Sequence, residues 1–204
     1  MADESRGYGT VAGKFYSTND GGRSWIERKL PEIVYADHLF FLTPDLGWVS
    51  GGGGVGGNDF FVLRTVDGGR DWEVSGGTPP QGPADVRDLF FLDPQRGWLV
   101  TWGYNDDGSY LYSTVDGGKH WTADPDLSFQ GKGKFANAVR FTSADRGFVF
   151  FSEGGHSSLA YTTDGGRQWH KQSLPRLVFN CQVFEGDLLC SSAEGFRLLT
   201  VRPR

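Results

Sequence analysis

Helix-forming and membrane-spanning segments are what this sequence most clearly lacks. Its 204 residues include one methionine and two cysteines, and no run of Ala, Leu, Glu and Lys repeats at the helical period. No stretch is long and apolar enough to span a bilayer. The opening MADESRGYG has neither the basic start nor the apolar middle of a secretory signal. We therefore expect a soluble, cytoplasmic protein, or an exported one if a native signal has been removed.

Positive charge is also in short supply. The chain has 25 acidic and 20 basic side chains, a formal net charge of -5. This balance argues against nonspecific binding to nucleic acid or to anionic lipid. We expect no nucleic-acid partner and no membrane insertion.

Signatures of metal and cofactor chemistry are missing as well. The four histidines have no paired metal-ligand spacing. The stretch from Asn105 to Gly108 lacks the alternating ligands and the distant Glu of a calcium loop, and it predicts a β-turn instead. GGGGVGG is not followed by Gly-Lys-Ser/Thr, and no His, Cys, Ser and Asp residues have the spacing of a catalytic triad. We predict no metal, no cofactor, no catalytic residue and hence no enzyme activity.

Glycine and aromatic residues, in contrast, are abundant. There are 31 glycines, and 15% of the residues are aromatic, which favours short strands joined by tight turns. A chain of this length can bury one sizeable core. We predict a tail over residues 1–9 and a single all-β domain over residues 10–204.

An eight-residue pattern occurs four times. Its copies carry one Asp, two Gly and one Trp in the same order and recur about every 48 residues. A second pattern lies between successive copies: LFFLTPDLGW, LFFLDPQRGW and VRFTSADRGF. Each unit divides into four short strands, A to D, and this predicts a β-propeller of four-stranded antiparallel blades. The four copies span residues 18–25, 65–72, 114–121 and 162–169.

The number of blades is inferred from the two ends of the chain. Strands C and D come first, three complete units follow, and strands A and B come last. Placing the last two strands beside the first two predicts four blades and covers both exposed sheet edges. A further strand, GFRLLTVR, does not fit this count. Five blades, or a part of a larger ring, are therefore the alternatives.

The repeated pattern has a structural explanation. The Asp carboxylate can accept hydrogen bonds from backbone N–H groups of its own turn, and glycine adopts the positive φ that other residues resist. The Trp begins the next strand and can pack against a neighbouring sheet. Four equivalent copies indicate joints of a scaffold rather than four active sites. The residues assigned this role are Asp20, Trp25, Asp67, Trp72, Asp116, Trp121, Asp164 and Trp169.

All four copies fit S/T-x-D-x-G-x-x-W and so resemble the Asp-box, or BNR repeat, of sialidases, sortilin-type receptors and many bacterial propellers. The pairing of F-x-D-x-x-x-G-W-x-V with L-R-T-x-D-G-G-x-x-W looks like the photosystem II assembly/stability factor family and its bacterial relatives, over residues 10 to about 200. The resemblance implies a non-enzymatic propeller that binds a protein, as an assembly factor or as a partner-neutralising module. The alternative is a sialidase-type propeller that binds or hydrolyses glycans, although the Arg-Ile-Pro segment of sialidases is absent. A small-molecule or glycan ligand is thus less favoured than a protein.

Binding is predicted on the face formed by the B–C and D–A connections, since these vary between units. Exposed aromatic and Arg side chains are typical of protein-binding surfaces, although Trp102 and Phe135 are expected to fold back over blade edges. The residues before each LFF-type run, and Arg140, are expected at the mouth of the central channel, as a ligand site or as a solvated salt-bridge network. The predicted partner-binding residues are Tyr35, Asp37, His38, Arg87, Asp88, Trp102, Tyr104, Asp106, Asp107, Phe129, Lys132, Lys134, Arg140 and His156.

The two cysteines are placed by a predicted hairpin near the end of the chain. If Glu185 and Gly186 form its tip, Cys181 and Cys190 lie directly opposite each other. That separation permits a disulfide. In a reducing compartment the same residues are free thiols, and the sequence leaves both states open.

Overall fold

A computed structural model describes residues 5–31, 36–52, 60–76, 84–103, 108–129, 134–174, 178–184, 187–192 and 195–199. Within these ranges every regular element is a β-strand. The described residues contain no helix that could cross a membrane. The all-β prediction is confirmed.

The described strands form five antiparallel sheets, in which strands adjacent in sequence pair with each other. We call these sheets blades 1 to 5. Blade 1 contains β1 (Gly7–Val11), β2 (Lys14–Thr18) and β3 (Ile26–Arg28), and blade 2 contains β4 (His38–Phe41), β5 (Gly47–Gly52), β6 (Phe60–Thr65) and β7 (Glu73–Gly76). Blade 3 contains β8 (Ala84–Phe91), β9 (Gly97–Gly103), β10 (Ser109–Thr114) and β11 (Thr122–Phe129), and blade 4 contains β12 (Lys134–Phe141), β13 (Gly147–Glu153), β14 (His156–Thr162) and β15 (His170–Ser173). Blade 5 contains β16 (Val178–Phe184), β17 (Asp187–Ser192) and β18 (Gly195–Leu199).

The sheets are arranged side by side around their first strands. The inner strands β4, β8, β12 and β16 contact each other in that order, whereas each outer strand pairs only within its own sheet. Consecutive four-stranded meanders that meet through their first strands form a β-propeller. The predicted fold class is confirmed.

The two ends of the chain do not share a sheet in the part that the structure describes. Among the described residues, blade 1 has no inner A strand and blade 5 has no outer D strand, so these residues form five sheets instead of four closed by the two ends of the chain. The segment GFRLLTVR contributes β18, the third strand of blade 5. The predicted tail is also too long, because β1 begins at Gly7 and pairs with β2 through a tight turn in which Ala12 and Gly13 have φ of 51° and 77°. Two adjacent segments joined by a two-residue loop readily form such a hairpin.

The hairpin that carries the cysteines has the predicted register. Cys181 pairs with Cys190, and Phe184 pairs with Asp187 across the tip.

The core between blades is built from one repeated aromatic arrangement. In blade 3, Phe91 at the end of β8 pairs with Gly97 at the start of β9. The face of the Phe91 ring stacks on Trp48 of blade 2 with centroids 3.6 Å apart, and Trp121 of its own blade meets Phe91 at an interplanar angle of 76°. The same contacts recur around Phe41, with Tyr8 and Trp72, and around Phe141, with Trp98 and Trp169.

The glycine of each Gly-Trp or Gly-Phe pair makes this arrangement possible. A Cβ on Gly97 would lie 2.5 Å from the Phe91 ring, and one on Gly47 would lie 2.6 Å from Phe41. Real side-chain carbons do not approach so closely, and the Phe91 ring, at 1% exposed, has little room to move away.

We predict that Gly97→Ala lowers the free energy of unfolding by about 1–3 kcal/mol, since Phe91 must leave its stacked position. Urea denaturation followed by tryptophan fluorescence measures the change. Gly9→Ala is the matched control: its Cβ would lie 3.7 Å from Trp25, an ordinary contact. Equal losses for the two variants would contradict the prediction.

The four repeated turns share one hydrogen-bond pattern. In blade 2 the Thr65 hydroxyl donates to Asp67 Oδ1 over 2.8 Å and accepts from the Gly69 amide over 2.9 Å, and the Asp71 amide donates to Asp67 Oδ1 over 3.1 Å. Both glycines of each turn have positive φ, between 71° and 94°. The hydrogen bonds at the other three turns join Thr18, Asp20, Gly22 and Ser24; Thr114, Asp116, Gly118 and His120; and Thr162, Asp164, Gly166 and Gln168.

These hydrogen bonds stabilise the ionised aspartates. Hydrogen bonds from Ser24 lower the pKa of Asp20 from 3.8 to about 2, and the His120 amide and ring hold the pKa of Asp116 well below 3.8. The pKa values of Asp67 and Asp164 are lowered as well, chiefly by the amides of Asp71 and Gln168. A carboxylate held by several donors stays charged to unusually low pH.

We predict that Asp116→Ala lowers the free energy of unfolding by about 1–3 kcal/mol at neutral pH through the loss of turn hydrogen bonds. Because the pKa of Asp116 is lowered in the folded state, this contribution is complete above pH 3.8 and is lost as the pH falls well below that value. Urea titrations from pH 7 down to pH 2 test both statements. Asp145→Ala serves as the control, because Asp145 is an exposed aspartate in the turn between β12 and β13. A stability difference between Asp116→Ala and wild type that grows in acid would contradict the prediction.

Candidate functional site

The propeller has two different ends. At one end the repeated turns meet the A–B turns of their own blades: the Gly68 amide donates to the Asp45 carbonyl over 2.9 Å, and the Gly165 amide donates to the Asp145 carbonyl over 2.9 Å. We call this end the turn face. The B–C and D–A connections therefore lie at the opposite end, the loop face, as the sequence analysis predicts.

The sequence predicts variable loops over Ala123 to Asn137 and over Glu153 to Ser158 on that face, but much of this sequence is strand. The stretch from Ala123 to Asn137 contains most of β11 and the beginning of β12, and the stretch from Glu153 to Ser158 is a hairpin turned by Gly154 and Gly155 alone. The prediction of an exposed loop position for Phe129 is wrong. Phe129 ends β11, is 1% exposed and belongs to the core.

A bulge in β11 explains the burial of Phe129. The register of β11 against β10 shifts by three residues between Ala123 and Ser128, after which pairing resumes. Asp124 closes the bulge: its Oδ1 accepts from the Leu127 amide and its Oδ2 accepts from Trp169 Nε1, both over 2.9 Å. The Asp-Pro-Asp sequence predicts the interruption of the strand but not its continuation.

The loop face carries a cavity of about 280 Å³ between blades 3 and 4. The ends of β9 and β13 and the starts of β8 and β12 form its walls. Its lining combines a cation, two aromatic rings and small polar groups: Arg87, Trp102, Phe135, Ala136, Asn137 and Ser152.

Stacked side chains shape this cavity. The Arg87 guanidinium carbon lies 4.2 Å from the centroid of the Trp102 ring, and the Phe135 ring meets Trp102 edge-on at 89° with centroids 5.5 Å apart. Trp102 lies in β9 and Phe135 in β12, so both rings are fixed by strands of neighbouring blades. Asn137 donates to the Ser152 hydroxyl over 3.2 Å on the other side. The result is a preorganised Arg-aromatic surface beside hydrogen-bonding groups.

An ion pair beneath this surface links blades 3 and 4. Arg140 donates to Asp88 Oδ2, and the same oxygen accepts from the Val139 amide over 2.8 Å. Both charged side chains are mostly buried, at 17% and 16% exposed. Burial raises the pKa of Asp88 despite the opposing effects of Arg140 and the Val139 amide, and burial lowers the pKa of His38 nearby in blade 2.

Of the two interpretations of the channel-mouth residues, this geometry fits the ion-pair network for Asp88 and Arg140. The two charged groups interact with each other and with the backbone of Val139. Arg87 and Asn137, by contrast, are exposed and line the cavity.

The remaining predicted residues are dispersed. Asp37 is exposed at the start of blade 2, Lys134 pairs with Glu153 over 2.8 Å, and His156 is exposed at the start of β14. Tyr35, Tyr104, Asp106, Asp107 and Lys132 lie outside the described residues.

The predicted packing of the turn tryptophans differs between blades. Trp121 is buried and Trp72 and Trp169 are partly buried, whereas Trp25 is 48% exposed. Blade 1 has no inner strand to supply the phenylalanine that these rings meet elsewhere, so the expectation that Trp25 packs against a neighbouring sheet is wrong for the described residues.

Asn137 is one of the channel-mouth positions expected from the sequence, fifty residues after Arg87, which lies fifty after Asp37. It is not among the predicted partner-binding residues, and the sequence gives no signal for Ser152. No group of three or more metal-ligating side chains occurs among the described residues.

Comparisons with known proteins establish the fold. No protein-family model and no curated protein matches the chain. Among solved structures, YCF48 from Cyanidioschyzon merolae aligns with 100% of this chain and 66% of its own, with a TM-score of 0.64 and 18% identity. The GH74 xyloglucanase from Xanthomonas campestris aligns with 92% of this chain and 31% of its own, with a TM-score of 0.61 and 17% identity. A structure of YCF48 bound to a D1 peptide aligns with 98% of this chain and 89% of its own, with a TM-score of 0.48 and 16% identity.

The chain thus spans about a third of the xyloglucanase and just under two thirds of the Cyanidioschyzon protein. At such low identities the similarity shows a shared β-propeller fold.

We predict that Arg140→Met lowers the free energy of unfolding by about 3 kcal/mol, because it leaves the Asp88 carboxylate buried without its ion pair. The double variant Asp88→Leu/Arg140→Met should lose less, since no unpaired charge remains. Chemical denaturation of the two variants, with Asp88→Leu alone as the third corner of the cycle, measures the coupling. Additive losses would show that the two side chains stabilise the blades independently.

Proposed function

We propose that this protein is a non-enzymatic binding module that holds a segment of a partner protein on its loop face. The observation that carries the proposal is the cavity between blades 3 and 4, where Arg87 stacks on Trp102 beside Phe135. Arg and aromatic side chains contribute most of the affinity at protein interfaces. YCF48, a propeller of similar fold, has been solved with a bound D1 peptide, so protein segments are among the ligands that such propellers take.

Rigidity supports the proposal. The cavity walls are strands, and the inner strand of blade 4 is tied to blade 3 by the Ala136 amide, which donates to Ser109 Oγ over 3.0 Å, and by the Val139 amide on Asp88. A surface fixed before binding loses little conformational entropy when the partner arrives.

A glycan is the second ligand class. The fold neighbours include a glycoside hydrolase, and aromatic rings beside amide and hydroxyl groups are also suited to sugars. Turnover of a fluorogenic sialoside would support this alternative, and the proposal predicts none.

We predict that Trp102→Ala weakens partner binding at least about tenfold by removing the platform under Arg87. Affinity capture from the source cell followed by mass spectrometry identifies a stoichiometric partner. Titration of that purified partner against wild type and the variants then measures the change in affinity. Phe135→Ala should act in the same direction, whereas Phe129→Ala is unsuitable because that ring is in the core.

Val115→Ser, an exposed apolar residue on the turn face of the same blade, is the control and should bind normally. Thermal melts exclude unfolding as the cause of any loss. Normal binding by both Trp102→Ala and Phe135→Ala would place the partner elsewhere on the molecule.

A further inference from the structure

A β-bulge interrupts the inner strand of blade 3 at the edge of the cavity. The register of β8 against β9 shifts between Val86 and Asp88, so Arg87 is the extra residue. Val86 is 4% exposed and Asp88 is mostly buried, whereas Arg87 is exposed. A bulge re-aims one side chain while the strand continues on both sides of it.

The same device recurs at equivalent positions in other blades. The register of β12 shifts around Asn137, and that of β16 shifts around Phe179. Asn137 is exposed and follows the buried Ala136. The inner strands β8, β12 and β16 therefore each have one extra residue near the end that lies at the loop face.

Blade 2 has no such bulge among the described residues, because β4 begins after the equivalent position. β4 begins at His38, which pairs with Ser50 as Asp88 pairs with Val100 in blade 3. The amide of Asp37 donates to the Ser50 carbonyl over 3.0 Å, while Ala36 before it pairs with Gly13 of blade 1. Asp37 corresponds to Arg87 by its interval of fifty residues along the repeat. Asp37 is exposed and follows Ala36, which is 2% exposed.

The equivalent positions of blades 2, 3 and 4 carry different side chains, and those of blades 3 and 4 are β-bulges. Blades 2, 3 and 4 present an acid, a base and an amide in turn, on inner strands that contact each other in that order. Arg87 forms no ion pair with any described residue and stacks on Trp102, which leaves its N–H groups available. Since the scaffold repeats, the side chain at this position is one of the features that distinguish one blade from the next.

This proposal rests on the proposed function: we propose that Asp37, Arg87 and Asn137, which are equivalent in the repeat, are the specificity-determining positions of the loop face. They select an extended protein segment that places a basic side chain at Asp37, a carboxylate at Arg87 and a hydrogen-bonding side chain at Asn137. Complementary charge attracts this segment and like charge rejects others.

A random linear-peptide phage library tests the proposal. It is panned against wild type, Arg87→Glu, Asp37→Lys and the matched control Lys119→Glu, which makes the same charge reversal on the turn face of blade 3. Wild type and Lys119→Glu should select one consensus with an acidic and a basic position. Arg87→Glu should select a base in place of the acid, and Asp37→Lys should select an acid in place of the base.

Synthetic peptides then measure the effect in solution. Arg87→Glu should bind the wild-type consensus peptide at least about tenfold more weakly than wild type, and should prefer a peptide whose acidic residue is changed to Lys. Lys119→Glu should bind both peptides as wild type does. If Arg87→Glu and wild type select the same consensus while Trp102→Ala abolishes binding, the specificity proposal fails and the proposed function stands. If wild type selects no consensus, the proposed function fails as well.

Discussion

The face-to-face stacking of an aromatic ring from one blade on a phenylalanine of the next is the interaction on which this structure depends. Trp48 on Phe91 and Trp98 on Phe141, with centroids 3.6 and 3.5 Å apart, are buried. Tyr8 stacks on Phe41 at the same place, so the contact repeats in the three interfaces from blade 1 to blade 4. Each phenylalanine lies over a glycine of its own sheet, so the ring can reach the neighbouring blade only because that glycine has no side chain. Burial of such large rings is the main favourable term that holds the sheets together.

The repeated turns add hydrogen bonds between neighbouring blades at the turn face. The carbonyl of Gly117, in the turn of blade 3, accepts hydrogen bonds from Trp48 Nε1 and Ser75 Oγ of blade 2, each over 2.9 Å. The aspartate hydrogen bonds fix the turn so that this carbonyl is in place. The turn therefore stabilises its own hairpin and the contact with the preceding blade, which is why the pattern needs no catalytic explanation.

A rigid turn face leaves the opposite end free to differ between blades. The bulge of blade 4 lies between the buried Ala136 and Ala138, and that of blade 3 lies between the buried Val86 and the mostly buried Asp88. The ion pair of Asp88 with Arg140 fixes blades 3 and 4 below the cavity. Arg87, Trp102 and Phe135 are thus positioned by strands rather than by loops. This combination of a fixed scaffold and a variable rim is what a binding surface for an extended segment requires.

The sequence alone determined what depends on contacts within one hairpin or one turn. The repeat interval, the Thr-Asp-Gly hydrogen bonds and the opposition of Cys181 and Cys190 all follow from residues close together in the chain. Tertiary structure decided the rest. Whether the terminal strands pair with each other or within their own hairpins depends on edges far apart in sequence, and the burial of Phe129 depends on a bulge that Asp124 and Trp169 of different blades close together. The cavity likewise required the structure, because the stacking of Arg87 on Trp102 beside Phe135 joins three strands of two blades, and no local pattern specifies which side chains meet across such an interface.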